Sequence, residues 1–292
     1  MFLEGVPPYV FGLTAAFLFA FGSQLQFIGL NNIDSLNGTM ISITTSAVIY
    51  WALAPFLLDG SHWTKSAVWI FALTGLIRPA VSANFSVAGI RLLGPTLSST
   101  FAATAPIFGA TLGILWLGEA MTWPIAIGTA GVITAIVILA QRNTRVPKTW
   151  PLWALSLPVG AALIRSLGQV LSKLGMEDIP DPYFASLVGF TVSAMVTILV
   201  KKLSKKSLPI PWNTGGHYWF IAAGATFSTA VLCLNTGLLR GQVVSIAPLI
   251  AAAPIFSMLL SIVVFRREKL TARTVLAVFI VVPSVAYIAF SR

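Results

Sequence analysis

The chain has 292 residues, 57% of them hydrophobic and only 9% charged, whereas roughly a quarter of the residues in a soluble globular domain are charged. The mean hydropathy is +0.90 and Cys233 is the single cysteine, so a soluble domain, a disordered chain and a disulfide-stapled fold are all excluded. The net charge of +10 has to be interpreted by membrane side rather than as a sign of nucleic-acid binding, because the composition predicts an all-α integral membrane protein.

A hydrocarbon core of about 30 Å is crossed by roughly 20 apolar residues of helix. Apolar runs bounded by charge, glycine or proline predict ten such helices, numbered here as spans 1 to 10. They cover residues 8–29, 37–58, 66–90, 95–116, 123–140, 151–174, 181–200, 216–239, 243–265 and 271–290. The first span lacks a basic leader and nine similar spans follow it, so we expect a retained helix rather than a signal peptide.

The second half of the chain repeats the first in order. The matches are Ala15-Ala16, Gly22 and Gly29 with Ala161-Ala162, Gly168 and Gly175 (offset 146), Gly75 and Arg91 with Gly224 and Arg240 (149), ATAPIF ending at Phe108 with AAAPIF ending at Phe256 (148), and Glu119 and Thr122 with Glu268 and Thr271 (149). They divide the chain into a five-helix repeat at 1–141, a linker loop at 142–150 and a second repeat at 151–292. Because five is odd, the second repeat is inverted, an arrangement typical of secondary transporters. The alternative is a duplicated bundle with no transport role.

One segment of the first repeat carries a family pattern. It runs from Arg91 to Glu119 (RLLGPTLSSTFAATAPIFGATLGILWLGE) and continues in Thr122 and the Gly128–Gly131 run, with a weaker copy around Pro254. The chain resembles the ten-helix EamA-type members of the drug/metabolite transporter superfamily. The second copy departs from the family, with Arg266-Arg267-Glu268 in place of the usual Gly-Glu. The resemblance implies export or exchange of small metabolites: amino acids, sugar nucleotides, phosphorylated compounds or drugs.

The basic residues outside the spans divide twelve to four between the two sides. Twelve flank the loops after spans 3, 5, 7 and 9: Arg91, Arg142, Arg145, Lys148, Lys201, Lys202, Lys205, Lys206, Arg266, Arg267, Lys269 and Arg273; the other side has Lys65, Lys173, Arg240 and Arg292. The positive-inside rule places the twelve in the cytoplasm and both termini outside. The family resemblance implies both termini inside, and we favour the charge argument.

Buried positive charge without buried negative charge is the unusual feature of the spans. Every acidic residue lies at a span end or in a loop: Glu4, Asp34, Asp59, Glu119, Glu177, Asp178, Asp181 and Glu268. Arg78 and Arg165 lie inside spans 3 and 6, where each costs about 2.5–3.5 kcal/mol at the helix centre. We expect them to face a wet cavity and hold an anionic substrate group, since guanidinium matches carboxylate and phosphate. Alternatively they snorkel or bond to loosened backbone carbonyls.

Polar side chains accompany the arginines at helical spacing. They are Ser82 and Asn84 in span 3, Gln169 in span 6, Gln24 in span 1 and Asn235 in span 8. Polar groups in lipid need partners, so these should point inward and form a chamber between spans 1, 3, 6 and 8. For each amide alone, a helix–helix hydrogen bond is the competing interpretation.

Three prolines are predicted hinges. Pro79 follows Arg78, removes a helical hydrogen bond and disfavours helical geometry at Arg78, which leaves a free carbonyl nearby. Pro106 and Pro254 lie centrally in spans 4 and 9, where they should kink the helices and serve alternating access.

No enzyme motif or nucleotide-binding domain is found in the sequence, so transport is expected to be secondary, with no cofactor and no metal. The sequence thus predicts an exporter or exchanger of a small organic metabolite, with an amino acid or another carboxylate- or phosphate-bearing solute favoured. Lipophilic drug efflux and flipping of a lipid or lipid-linked sugar are the alternatives. The expected partners are the substrate and the bilayer of a bacterial inner membrane, not nucleic acid, and the chain is expected to be a monomer or homodimer.

Overall fold

The computed structural model describes residues 5–78, 81–82, 85, 92–93, 101–140, 151–203, 209, 213, 215–266 and 271–290, and it is helical wherever these residues form regular structure. The helices are α1 (Pro8–Gly29), α2 (Ser35–Leu57), α3 (Ala67–Ile77), α4 (Ala105–Leu117), α5 (Trp123–Ala140), α6 (Ser156–Asp178), α7 (Pro182–Leu203), α8 (Gly216–Arg240), α9 (Val243–Ala251), α10 (Ala253–Val263) and α11 (Ala272–Phe290). Short 3₁₀ helices at Gly60–Thr64 and Leu152–Leu155 precede α3 and α6.

These helices supply ten spans. Eight described segments are long and apolar enough to cross a bilayer, with α9 and α10 counted together as one span, and the shorter apolar helices α3 and α4 supply the other two. Large apolar side chains face outward, among them Phe56, Trp69 and Trp123, each at least 79% exposed. An outward apolar surface suits lipid rather than water. The expectation of an all-α, multi-pass membrane protein with two inverted five-helix repeats is confirmed.

Glycines that match between the repeats mark the closest helix contacts. A Cβ at Gly75 of α3 would collide with the Gly189 carbonyl of α7, and a Cβ at Gly224 of α8 would collide with the Ser42 carbonyl of α2. Small residues let helix backbones approach closely in a membrane, where no hydrophobic force drives helices together. The α3–α7 contact and the α8–α2 contact are therefore related by the repeat.

A series of hydroxyl groups joins α2 to α8. Ser42 Oγ, Ser46 Oγ and Tyr50 Oη donate to the carbonyls of Phe220 (3.0 Å), Gly224 (2.7 Å) and Ser228 (2.7 Å). The donors are four residues apart, so they lie on one face of α2 and follow successive turns of α8. All three donors are buried, so these bonds satisfy polar groups that lipid could not.

The span across Arg78 is not one continuous helix as predicted for 66–90. α3 ends at Ile77, and Arg78 is extended, with φ −124° and ψ 138°. A residue before proline is pushed into this region, as expected at Arg78. Pro79 lacks an N–H to donate to the Gly75 carbonyl, and Ser193 Oγ of α7 reaches that carbonyl at 2.7 Å and the Arg78 carbonyl at 2.6 Å. The carbonyl expected to be free is therefore capped from α7.

Spans 4 and 9 are broken rather than merely kinked. α4 begins at Ala105 after a turn at 103–104, and α10 begins at Ala253 after Ala252 ends α9. The two starts are 148 residues apart, which equals the offset of the repeated APIF segment. Proline is favoured in the first turn of a helix because the N–H that it lacks would have no helical partner there. The predicted span 243–265 is interrupted at Ala252, and an equivalent interruption precedes α4 in the first repeat.

Candidate functional site

A cavity of about 680 Å³ lies between the two repeats. Its lining comes from α1 (Phe19, Ala20, Ser23, Gln24), the end of α3 (Arg78), α4 and the residues before it (Ala102, Ala103, Ala105), α5 (Ile136, Leu139, Ala140), α6 (Arg165, Ser166, Gln169), α9 (Ala247, Ile250, Ala251) and α10 (Ala253, Pro254, Ser257, Met258, Ser261). With Gln169 near the middle of α6, most of these residues occupy the helix halves nearer the loops that carry most of the basic residues. The volume is within the range of about 300–1,000 Å³ usual for small-molecule sites.

Both predicted arginines line this cavity, and both are half-buried. The side chain of Arg78 crosses α6 at Gly168, where a Cβ would collide with Arg78 Cδ. Gly168 is three residues after Arg165, so the two arginines meet α6 within one helical turn. Among the described residues neither guanidinium forms an ion pair. Because glycine has no side chain, position 168 leaves room for Arg78 to contact α6 close to Arg165.

Gln169 also lines the cavity and is only 8% exposed. Its Oε1 is buried and has no hydrogen-bond partner in the described part of the chain. Ser166 Oγ, one residue after Arg165, donates to the Ala105 carbonyl at 2.7 Å and so supports the start of α4. The exposed face of α6 in the cavity therefore combines positive charge with an unsatisfied acceptor.

Gln24 is the predicted amide on the opposite wall. Its Nε2 donates to the backbone carbonyl of Ser257 at 2.9 Å and to Ser257 Oγ at 3.0 Å, which joins α1 to α10 inside the cavity. This contact connects the two repeats just beyond the break before α10. Gln24 therefore lines the cavity and also holds a helix–helix contact.

Asn235 is placed elsewhere. Its Nδ2 donates to Ser186 Oγ of α7 at 2.8 Å, both groups are buried, and Asn235 is not among the lining side chains. Asn235 therefore forms a helix–helix hydrogen bond, which was the competing interpretation. Ser82 is buried and also absent from the lining, while Asn84 and Pro79 lie outside the described residues.

The two central prolines stand beside the cavity. Pro254 lines it, and Pro106 occupies the equivalent first turn of α4, immediately after the lining residue Ala105. Their hinge role stays a prediction, but both mark the helix breaks. Such discontinuous helices at a cavity are typical of secondary transporters.

Several lining residues were not singled out from the sequence: Phe19, Ser23, Ser166, Ser257, Met258 and Ser261. The repeat itself could have indicated the first two. With the offset of 146, Phe19 corresponds to Arg165 and Ser23 to Gln169, so the two faces of the cavity are equivalent positions. Short serines in α10 give no separate signal, because Ser is common at helix–helix contacts.

The two cavity arginines correspond, through the repeat, to two phenylalanines. With the offset of 149, Arg78 corresponds to Phe227, and Gly22, the counterpart of Gly168, would place a Cβ against the Phe227 ring. The rings of Phe19 and Phe227 lie 6.2 Å apart between centroids. The face between α3 and α6 thus has two guanidiniums where the equivalent face between α8 and α1 has two phenyl rings.

No carboxylate balances the arginines in the described lining. Asp34 caps α2, Asp59 accepts from Ser61 N, Asp178 lies near Lys65, and Asp181 accepts from Tyr183 N. These four carboxylates all form contacts at helix ends. The described lining therefore has two positive charges and no negative one.

The half of the molecule away from the cavity is held by Glu119, which follows α4. Its carboxylate accepts from the backbone N–H groups of Val243 (2.8 Å) and Val244 (2.9 Å) at the start of α9, and from Lys173 Nζ of α6 at 2.9 Å. Lys173 Nζ also donates to the Gly241 carbonyl at the end of α8. We call these groups the Glu119 network. It places a negative charge at a helix N-terminus and a positive charge at a helix C-terminus, which both helix dipoles favour.

The described residues include no group of three or more His, Cys, Asp or Glu side chains placed to hold a metal ion. With its guanidiniums, amides and hydroxyls, the cavity can bind an organic anion. No residue arrangement that could activate a nucleophile lines its described part.

Comparison with known proteins identifies the family. No curated protein matches the sequence. Among solved structures 29 chains match, and one of them, described only as "Crystal structure of protein", superimposes with a TM-score of 0.81 at 19% identity, covering 96% of this chain and 95% of that one. At that identity the likeness supports the fold alone. The model of the EamA-like transporter family matches residues 6–141 and again residues 152–290, so the chain belongs to this family of the drug/metabolite transporter superfamily.

Proposed function

We propose that this membrane transporter is an exporter or exchanger of a small organic solute that carries a carboxylate or phosphate group, as an amino acid does. The observation that carries the proposal is the placement of Arg78 and Arg165 in one inter-repeat cavity without a described carboxylate. Guanidiniums inside membrane spans that form no ion pair with a described residue are costly, and an anionic substrate relieves that cost. The bacterial inner membrane is the proposed location.

The proposed mechanism is alternating access. The cavity occupies the half toward the basic loops, and the Glu119 network holds α4, α6, α8 and α9 together in the other half. Opening on that second side requires the network to separate while the cavity side closes, with the breaks before α4 and α10 as hinges. By the positive-inside rule the cavity side is cytoplasmic.

The test uses purified protein in proteoliposomes preloaded with amino acids, phosphorylated compounds, carboxylates or cationic dyes. Wild type is compared with Arg78→Gln and Arg165→Gln at matched insertion, and Arg266→Gln, an exposed loop arginine, is the control for loss of one positive charge. We expect exchange of an anionic or zwitterionic solute, lost in both cavity variants and kept in the control. Transport of dyes alone, undiminished in both variants, contradicts the proposal and supports drug efflux through the apolar lining.

A further inference from the structure

The cavity arginines present two positive charges to one place. Arg78 extends from the end of α3 and contacts α6 at Gly168, and Arg165 is three residues earlier on α6, so the contact and Arg165 lie within one turn. Both side chains line the same cavity, so their positive charges repel across it. A ligand that relieves both must concentrate its negative charge rather than spread it along its length.

The charge balance separates the possible ligands. A zwitterionic amino acid has one carboxylate and adds a positive charge, for which the described lining offers no acidic partner. A monocarboxylate leaves one guanidinium uncompensated, and an uncompensated buried charge is strongly unfavourable. A phosphate monoester carries about −1.5 to −2 at pH 7 on three acceptor oxygens, and guanidinium groups match phosphate with paired hydrogen bonds.

The buried Oε1 of Gln169 adds a second, independent requirement. It has no partner in the described structure, and a buried acceptor needs a donor. Gln169 and Arg78 line the same cavity, and Gln169 is the next residue along α6 after the Arg78 contact at Gly168. The ligand therefore needs a hydroxyl or N–H group close to its phosphate. The rest of the described lining is mostly apolar, with Phe19 and Met258 among its walls and a few serines, and suits a short organic body.

We infer that the substrate is a small hydroxylated phosphate monoester in its dianionic form, bound by Arg78 and Arg165 through phosphate and by Gln169 through a neighbouring hydroxyl. This inference rests on the proposed function and narrows its substrate class. It makes the face between α3 and α6 the phosphate-binding side and leaves the equivalent face between α8 and α1, with Phe19 at the position of Arg165, to contact the organic part.

The experiment measures counterflow of labelled glycerol 3-phosphate in proteoliposomes. Competitors are inorganic phosphate, dimethyl phosphate as a permanent monoanion, alanine, glutamate and lactate. We expect inorganic phosphate to compete and the other four to have no effect. The second phosphate ionisation lies near pH 6, so the dianion, and with it the uptake at low substrate concentration, should rise about tenfold between pH 5 and 7. The described lining contains no Asp, Glu, His, Lys or Tyr, so no described group that faces the arginines titrates in this interval.

Variants test each contact. Arg78→Gln and Arg165→Gln should each lower counterflow at least tenfold, whereas Arg266→Gln should stay within twofold of wild type. Arg165→Lys keeps the charge and loses the paired geometry, so it should raise KM and retain turnover. Gln169→Leu should raise KM for glycerol 3-phosphate about tenfold and leave inhibition by inorganic phosphate unchanged, since only the hydroxyl contact is lost. A phosphate-induced rise in melting temperature, present in wild type and absent in both Gln variants, separates lost binding from lost folding.

The outcomes distinguish this inference from the proposed function. Counterflow of alanine, glutamate or lactate without glycerol 3-phosphate overturns the phosphate assignment and leaves an anion or amino-acid exchanger standing. Transport of cationic dyes alone overturns both. Glycerol 3-phosphate counterflow that is unaffected in both arginine variants refutes the assigned site, because the phosphate would then bind elsewhere.

Discussion

Glu119 offers the sharpest test of how the side opposite the cavity is held closed. Its side chain is 5% exposed and accepts three hydrogen bonds, two from the first N–H groups of α9 and one from Lys173. Gln242, the residue that caps α9, makes no side-chain capping bond, so Glu119 replaces a local cap. Glu119→Ala removes one member of a buried ion pair, at about 3–5 kcal/mol, and a cap, at about 1 kcal/mol. Overlap between these contributions leaves an expected loss of about 3–5 kcal/mol in unfolding free energy.

The assay is denaturant unfolding of purified protein in detergent, followed by tryptophan fluorescence. Glu119→Gln keeps the volume and one acceptor oxygen, so its loss should be smaller, about 1.5–3 kcal/mol, the value of a hydrogen bond to a charged group. The double variant Glu119→Gln/Lys173→Met should lose less unfolding free energy than the two single variants lose in sum. Each single substitution already breaks the ion pair, so the second has less to remove. A Glu119→Ala protein within about 0.5 kcal/mol of wild type, the usual range for surface substitutions, would refute a structural role for the network.

Four further substitutions test packing and the approach of Arg78. Gly75→Ala forces a Cβ into an α7 carbonyl and should destabilise by at least about 1–3 kcal/mol, while Gly189→Ala, across the same contact but with open space around its Cβ, should be neutral or up to about 1 kcal/mol more stable in the same unfolding assay. Gly168→Ala meets only the flexible stem of Arg78, so uptake should fall while the melting temperature changes little; unchanged uptake would contradict the proposed seat of Arg78. Tyr50→Phe should cost about 1 kcal/mol for its buried hydrogen bond, and a neutral result would show that the bond adds no net stability.

The spans and the repeat could be predicted from the sequence because both depend on patterns along the chain. Apolar length fixes a crossing, and recurring residues such as Gly75 and Gly224 fix the repeat, where each glycine proves to mark a backbone contact. The helix breaks were predicted only as kinks. Whether a proline bends a helix or begins a new one depends on which group satisfies the freed carbonyl, and at Arg78 that group is Ser193, 115 residues away.

The cavity was predicted in part for the same reason. Arg78, Arg165, Gln24 and Gln169 were identified because each is expensive in lipid, and all four line the cavity. Asn235 is also a polar group in lipid, but its partner is a neighbouring helix, because its amide donates a hydrogen bond to Ser186. Polarity along a sequence shows that a partner is required, but only the packing shows whether that partner is a neighbouring helix or a bound ligand.

The comparison between the repeats shows how an inverted duplication can present charge at only one of two equivalent faces. Were Phe19 and Phe227 arginines like their counterparts, four positive charges would lie within the spans and the cost in lipid would double. The two phenyl rings, with centroids 6.2 Å apart, instead pack against each other and need no charged partner. The glycines that admit these side chains, Gly22 and Gly168, are the same in both halves, so the backbone symmetry is retained while the side chains differ. In the proposed function the substrate is oriented with its charge against Arg78 and Arg165, because only the face between α3 and α6 offers charge to receive it.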